Sequence, residues 1–265
     1  MFLKRKNNHV IIVTPTHSRY EKYCDLLVGL IDSMWPGHPP IWFITDNGRR
    51  IKFDHKICID SSSWVSILTQ GLRHLKKAFP EIGYVYLILE DLYPLWPCSV
   101  ENLSEIQETV LKDQINCVSF VTYDFDRSKL EEVQIGNHVL YKTPKAFRYY
   151  NQLQPSIWKF NHLLETCEYA LRNSIYDCWS FERIVTDDRY ITDCPWPNVL
   201  NGLLTRGGRV NLNAIKKIKE PEGAKLKRML IRNYIFQCPR YAFYRLKERI
   251  KGSRLLSDGI KSSSD

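Results

Sequence analysis

The chain has 265 residues, 44% of them apolar and 25% charged, which is the balance of a folded globular protein and excludes a disordered or collagen-like chain. Its net charge of +9 lies in the tail: from Ala214 onward 14 Lys/Arg face 5 Asp/Glu, so residues 1–213 are formally neutral. Eight scattered cysteines with no C-x-x-C pair point to reduced thiols in a cytosolic protein, not to a structural zinc site, and no stretch reaches the ~20 apolar residues that span a bilayer.

The basic N-terminus is followed by an apolar run too short for a signal h-region. That run, Val10–Val13, is β-branched and predicts a first strand, ending in Thr14-Pro15-Thr16. Ser18 and Glu21 have capping-box spacing, and Tyr23, Leu26, Leu27, Leu30, Ile31 and Met34 recur at helical intervals until Pro36-Gly37. A second strand, Ile41–Thr45, ends in Asp46-Asn47-Gly48, and a short third covers Ile57–Ile59. Val65, Leu68, Leu72, Leu75 and Phe79 mark a second helix, closed by Pro80.

The fourth strand, 84–89, is a short apolar block that stops abruptly at Glu90 and Asp91. A helix over about 102–112 leads to a fifth strand, 117–122. A hairpin is expected around Gly136-Asn137, a helix from Phe160 to Leu171 and a shorter one from Trp179 to Val185. Residues 190–213, rich in Pro and Gly, read as a loop-rich rim or strap. Alternation of strand and helix predicts an α/β fold of parallel βαβ units. The expected division is a catalytic domain over 1–212 and a basic helical extension over 213–265.

Phosphate-binding loops of the P-loop and G-x-G-x-x-G types are absent, and so is the G-x-S-x-G elbow, which disfavours P-loop kinases, dinucleotide dehydrogenases and α/β-hydrolases. What remains is a set of acids at strand ends: Asp46, Asp60, Glu90, Asp91 and Asp124. Ligands of open α/β sheets gather beyond the carboxyl ends of the strands, where such acids can hold a metal ion or a sugar hydroxyl.

The run Thr14-Pro-Thr-His-Ser-Arg19, the acid after the second strand and Leu-Glu-Asp after the fourth resemble a bacterial GT-A-type glycosyltransferase. Gln154-Pro-Ser-Ile-Trp158 and Cys178-Trp-Ser-Phe-Glu182 are similar to segments of glycosyltransferases of surface-polysaccharide loci, so the resemblance runs over about 9–210. It implies a Rossmann-like, mostly parallel sheet flanked by helices. A nucleotide-sugar donor would lie across the ends of the first and fourth strands, bound by Thr14, Thr16, Arg19, Asp46, Glu90 and Asp91. Thr14 and Thr16 would line the base, Asp46 would bond base or ribose, and Glu90-Asp91 would occupy the D-x-D position.

Carboxylate oxygens there suit Mg²⁺ or Mn²⁺, with Asp91 as the metal ligand, to neutralise the departing diphosphate. The chain departs from the pattern at Leu92, where a third acid would stand. Either another acid completes the site, or cations such as Arg206 and Arg209 replace the metal. Asp124-Phe-Asp126 is a literal D-x-D and the internal rival of Glu90-Asp91; its other reading is a polar turn. Glu182, flanked by Trp179 and Phe181, is the candidate general base beside Asp91. The alternative is that the two rings anchor the core and the acid merely favours a helix start.

His17 reads as a loop histidine or a diphosphate contact. Trp158 opens a helix as a core residue or packs on an acceptor sugar. Asp187-Asp188 and Asp60 read as solvated or capping acids. The function expected is transfer of a sugar from a nucleotide donor to a glycan or lipid-linked glycan acceptor on the cytoplasmic side. The alternative is a non-catalytic nucleotide-sugar or membrane-binding protein of the same fold. The basic, aromatic-rich tail fits an anionic membrane surface through 220–251, or a helix pair docked on the domain. No nucleic-acid-binding motif occurs.

Overall fold

The computed structural model describes residues 10–92, 94, 99–121, 128, 130–136, 138–195, 204–205, 209–210, 227–228 and 231. Chain contacts divide it into two units, Met1–Asn201 and Gly202–Asp265. Among the described residues the first holds nine strands: β1 (Val10–Pro15), β2 (Ile41–Thr45), β3 (Lys56–Cys58), β4 (Tyr84–Leu87), β5 (Cys117–Val121), β6 (Glu131–Ile135), β7 (His138–Lys142), β8 (Ser156–Lys159) and β9 (Arg189–Pro195). Its helices are α1 (Cys24–Met34), α2 (Trp64–Ala78), α3 (Val100–Lys112), α4 (Phe160–Arg172) and α5 (Cys178–Phe181). In the second unit β10 (Leu204–Thr205) pairs antiparallel with β11 (Arg209–Val210). The remainder of the predicted basic extension lies outside the described residues, save the helical Lys227, Arg228 and Ile231.

The nine strands form one sheet in the order β3-β2-β1-β4-β8-β5-β9-β7-β6. An α/β fold with helices on a large sheet is thus present, but the sheet is mixed and not mostly parallel. β1, β2, β3 and β4 pair in parallel, as do β5 and β9, whereas β8 runs against both β4 and β5, and β7 against β9 and β6. The physical cause lies in the connections. β6 and β7 are joined by a tight turn in which Gly136 takes φ +58°, so they must be antiparallel. β8 enters between β4 and β5 after a long irregular run, with no crossover helix before it.

Two central strands escaped the sequence reading. Trp158 lies within β8 rather than opening a helix, and the expected strap begins as β9. Neither carries a long apolar block: β8 has four residues, and β9 contains Thr192, Asp193 and Pro195.

Apolar spacing explains the core. The inward stripe of α2 (Val65, Leu68, Leu72, Leu75) meets Ile11, Val13, Ile44, Val85 and Leu87 of the sheet and Phe160, Leu163, Cys167 and Ala170 of α4. Tyr86, in β4 next to Val85 and Leu87, stacks on Phe120 of β5 and meets Trp35 edge-on at the end of α1. Serine caps start α2 and α3: Ser63 accepts from Ser66 N, and Ser99 from Asn102 N.

Gly71 of α2 lies directly over β2. A Cβ added there would stand 2.6 Å from Cδ1 of the fully buried Ile44. Alanine favours a helix over glycine by about 1 kcal/mol, yet overpacking a stiff β-branched core residue costs roughly 1–3 kcal/mol. Gly71→Ala is therefore expected to lower the melting temperature. Adding Ile44→Val should recover part of the loss in the same thermal melt.

Candidate functional site

β1 pairs with its two neighbours over different lengths. With β2 it stays paired through Pro15, opposite Ile44, and Thr16 N still donates to Ile44 O at 2.8 Å. With β4 it parts after Val13, where Ile88 N donates to Val13 O at 3.1 Å. Strand order also reverses here: α1 carries the chain outward from β1 to β2, and α2 brings it back across β1 to β4. A crevice at such a switch point is where open α/β sheets bind ligands.

Side chains at the parting lack partners. Thr14 and Thr16 are buried, and neither Oγ1 has a hydrogen bond of ordinary geometry, although the Thr16 hydroxyl meets the Cys24 sulfur, a weak acceptor. Buried hydroxyls are normally bonded, so Thr14 with no partner and Thr16 with only a thiol can each take an external one. Glu90 and Asp91, in the turn after β4, are partly reachable by solvent yet densely surrounded by protein. Among the described residues neither has an ion-pair partner. Burial, and then the charge of Asp91, pushes Glu90 well above the ordinary carboxylate range, and burial raises Asp91. Leu92 turns inward and is buried.

The Thr14–Arg19 loop is fastened to the end of β2. Asp46 Oδ1 accepts from Ser18 N at 2.6 Å, and its Oδ2 accepts from Ser18 Oγ at 3.0 Å and lies 3.2 Å from His17 Nε2. His17 Nδ1 accepts from Arg19 N, which leaves the proton on Nε2, toward Asp46. Asp46 is thus chiefly a clasp for this loop. Arg19 is exposed, its guanidinium without a partner among the described residues.

Ser18 and Glu21 form no capping box, because α1 begins only at Cys24, after a 3₁₀ turn over Glu21–Tyr23. Instead Glu21, 1% exposed, points across to the β2 loop. It accepts from Thr45 Oγ1 at 2.8 Å, from Gly48 N, and from Arg50 N at 3.1 Å.

Glu182 caps the C-terminal end of α5 and clips the segment leading to β8. Its Oε1 accepts from Leu153 N at 2.9 Å, and its carbonyl accepts from Asn151 N at 2.8 Å. Burial raises the carboxyl, opposed by the Leu153 amide and the Arg189 charge. Because β8 is antiparallel to β4, with Ser156 opposite Leu87, the segment before β8 lies at the same sheet end as Glu90. The Cys178 thiol, raised by burial, also feels the charges of Glu182, Asp177 and Glu90, so both candidate acid sites lie within electrostatic reach of one side chain. The two flanking aromatics part company: Phe181 is fully buried against Trp64, whereas Trp179 is exposed.

Arg189 was not singled out in the sequence, yet it organises this region. Buried in β9, it donates to Ser119 Oγ (2.5 Å), Gln152 O (2.7 Å), Cys117 Sγ (3.1 Å) and Asn151 Oδ1 (3.3 Å), and covers the Trp158 ring at 4.9 Å. Arg189 and Glu182 thus hold the 151–153 segment from two sides. Trp158 is a core residue, fully buried. Asp60 is exposed, and Asp187 pairs with exposed Lys145. Asp124, Asp126, Arg206 and the side chain of Arg209 lie outside the described residues.

Two outcomes follow. Glu21→Ala would strand the Gly48 and Arg50 amides and leave Thr45 Oγ1 with only the longer Asp46 Oδ1 contact at 3.3 Å; it is expected to cost roughly 2–3 kcal/mol, read as a lowered denaturation midpoint. For Glu90 the folded protein holds its proton more tightly than the unfolded chain does. Its stabilising contribution is therefore full below the ordinary glutamate pKa of about 4.5 and is lost as pH rises through the raised value. Glu90→Gln should flatten that loss, so the melting temperature of the variant minus that of the parent grows with pH in metal-free buffer.

No protein-family model matches the chain and no curated protein matches it, so the functional reading rests on the chemistry of this crevice.

Proposed function

We propose that the chain is a glycosyltransferase that binds a nucleotide-sugar donor in the crevice between β1 and β4. The observation that carries this reading is the coincidence at one switch point of groups without an ordinary hydrogen-bond or ion-pair partner among the described residues: the Thr14 and Thr16 hydroxyls and the Glu90-Asp91 pair. A ribose offers hydroxyls and a base offers donors and acceptors to such groups. Arg19 at the rim offers a charge to a phosphate.

A divalent cation fits the acid pair. Two hard carboxylates whose proton affinity burial raises, that of Glu90 further through the charge of Asp91, and which have no described cationic partner, are stabilised by Mg²⁺ or Mn²⁺. Among the described residues no group of three or more acidic, His or Cys side chains could hold a metal, so bound phosphate or water would complete its shell. Such a cation supplies charge neutralisation for the leaving diphosphate.

Glu182 acts as the base. The acceptor hydroxyl oxygen attacks the anomeric carbon of the donor and its proton passes to Glu182. The bond to the diphosphate oxygen breaks, with its electron pair leaving on the diphosphate. The Leu153 amide holds the carboxylate in place and, with the charge of Arg189, opposes the effect of its burial. The acceptor is a surface glycan or its lipid-linked precursor at the cytoplasmic face. The basic segment 220–251 supports that location through attraction to anionic lipid. No described helix is long and apolar enough to cross a membrane.

A thermal-shift panel of UDP-, GDP-, CMP- and dTDP-sugars, with and without Mn²⁺, tests the donor site. At least one donor should raise the melting temperature, and Asp91→Asn should abolish the part that depends on Mn²⁺. No shift with any donor removes the transferase reading. With the active donor, Glu182→Gln should lower turnover by about 10²–10⁴-fold. Since a base works deprotonated, turnover of the parent should fall as pH drops through the raised pKa of Glu182. Binding without turnover would favour the non-catalytic alternative.

A further inference from the structure

Exposed aromatics are ordinary on protein surfaces, but Trp179 is held in an unusual setting. It is 54% exposed, and the indole has no ring or hydrogen-bond partner among the described residues. Yet its turn is rigid. Asp177 caps it by accepting from Ser180 N at 2.9 Å, Phe181 anchors it in the core, and Glu182 fastens its end to Asn151 and Leu153. Glu182 keeps helical angles (φ −59°, ψ −18°), so residues 179 and 182 stand three apart on one helical face. Of the Glu182 oxygens, Oε1 is occupied by the Leu153 amide, and Oε2 has no partner among the described residues.

An exposed indole one helical turn from a carboxylate oxygen with no described partner gives this turn an amphipathic character. It matches a ligand with an apolar C–H face and hydroxyls at its edge, such as a pyranose ring. The carboxylate decides between sugar classes. It accepts a hydroxyl proton from a neutral ring and repels an acidic one. The Cys178 thiol feels both Glu182 and Glu90, so the turn that carries Trp179 lies within electrostatic reach of the crevice acid.

We infer that Trp179 and Glu182 form a binding platform for a neutral pyranose, the acceptor sugar, which stacks on the indole and donates a hydroxyl to Glu182 Oε2. Its role as an acceptor platform rests on the donor-site reading above. Binding of the sugar itself does not, so the two fail separately: the nucleotide-sugar panel tests the crevice, and the following titration tests the platform.

The full chain, with its seven tryptophans labelled as 5-fluorotryptophan, is titrated with methyl glycosides of glucose, galactose, mannose, N-acetylglucosamine and glucuronic acid, with methanol as control. The fluorine resonance of Trp179 is the one missing in Trp179→Phe. At least one neutral glycoside should move it saturably in the millimolar range. The glucuronide should bind more weakly than glucose, and Glu182→Gln should weaken the neutral sugar by about tenfold, the scale of one charged hydrogen bond. The inference is overturned if no neutral glycoside moves the resonance, if methanol moves it as far, or if the glucuronide binds as well as glucose. A folded Glu182→Gln protein with unchanged affinity would also overturn it. Should that variant not fold, the neutral-against-acidic comparison on the parent chain decides alone.

Discussion

The parting of β1 from β4 after Val13 is the constraint on which the rest of the site depends. Up to that point the two strands satisfy each other's backbone and bury apolar side chains on both faces. Beyond it β1 continues with β2 alone, and the polar groups at the parting lose the neighbour that would have paired them. Thr14, Thr16, Glu90 and Asp91 fall within a few residues of that point. Leaving buried hydroxyls and carboxylates unpartnered works against folding. A large core behind the crevice, formed by α2 and α4 on the sheet, can bear that burden.

Around the crevice the polar groups are used in a different way. Glu21 spends both its oxygens on the Thr45–Arg50 loop, and Asp46 spends its own on Ser18 and His17. Each ties one strand-end loop to another. Arg189 and Glu182 do the same for the 151–153 segment on the far side of β4. The site therefore has satisfied clasps at its edges and unsatisfied groups at its centre, which is the distribution a preorganised binding site needs. Arg189 is the costliest clasp, a buried cation whose direct contacts are neutral: two carbonyl oxygens, a hydroxyl, a thiol and an aromatic face.

Legibility in the sequence followed the physics of each element. β1, β2 and β4 are apolar blocks bounded by turn residues, and α1, α2 and α4 carry regular stripes, so local pattern sufficed for them. β8 and β9 did not show themselves, since their strand state comes from the neighbours they pair with and not from their own composition. The direction of β8, which runs against β4 and β5, is a property of a connection over 143–155 that has no local signature. Glu90 and Asp91 were visible because an apolar run that stops at two acids is unusual. Arg189 was not, since an arginine gives no sign in sequence that it will be buried. Glu21 was visible with the wrong partner: its spacing from Ser18 fits a capping box, but the 3₁₀ turn sends its side chain to the next strand end.

Hydrogen–deuterium exchange with each nucleotide sugar in turn tests the central claim most directly, since it reports where a donor sits independently of turnover. Slowed exchange confined to Thr14–Arg19, the turn after Thr45 and Ile88–Leu92 is the predicted result for the donor that binds. Protection elsewhere in the chain, with those three segments unchanged, would contradict the account.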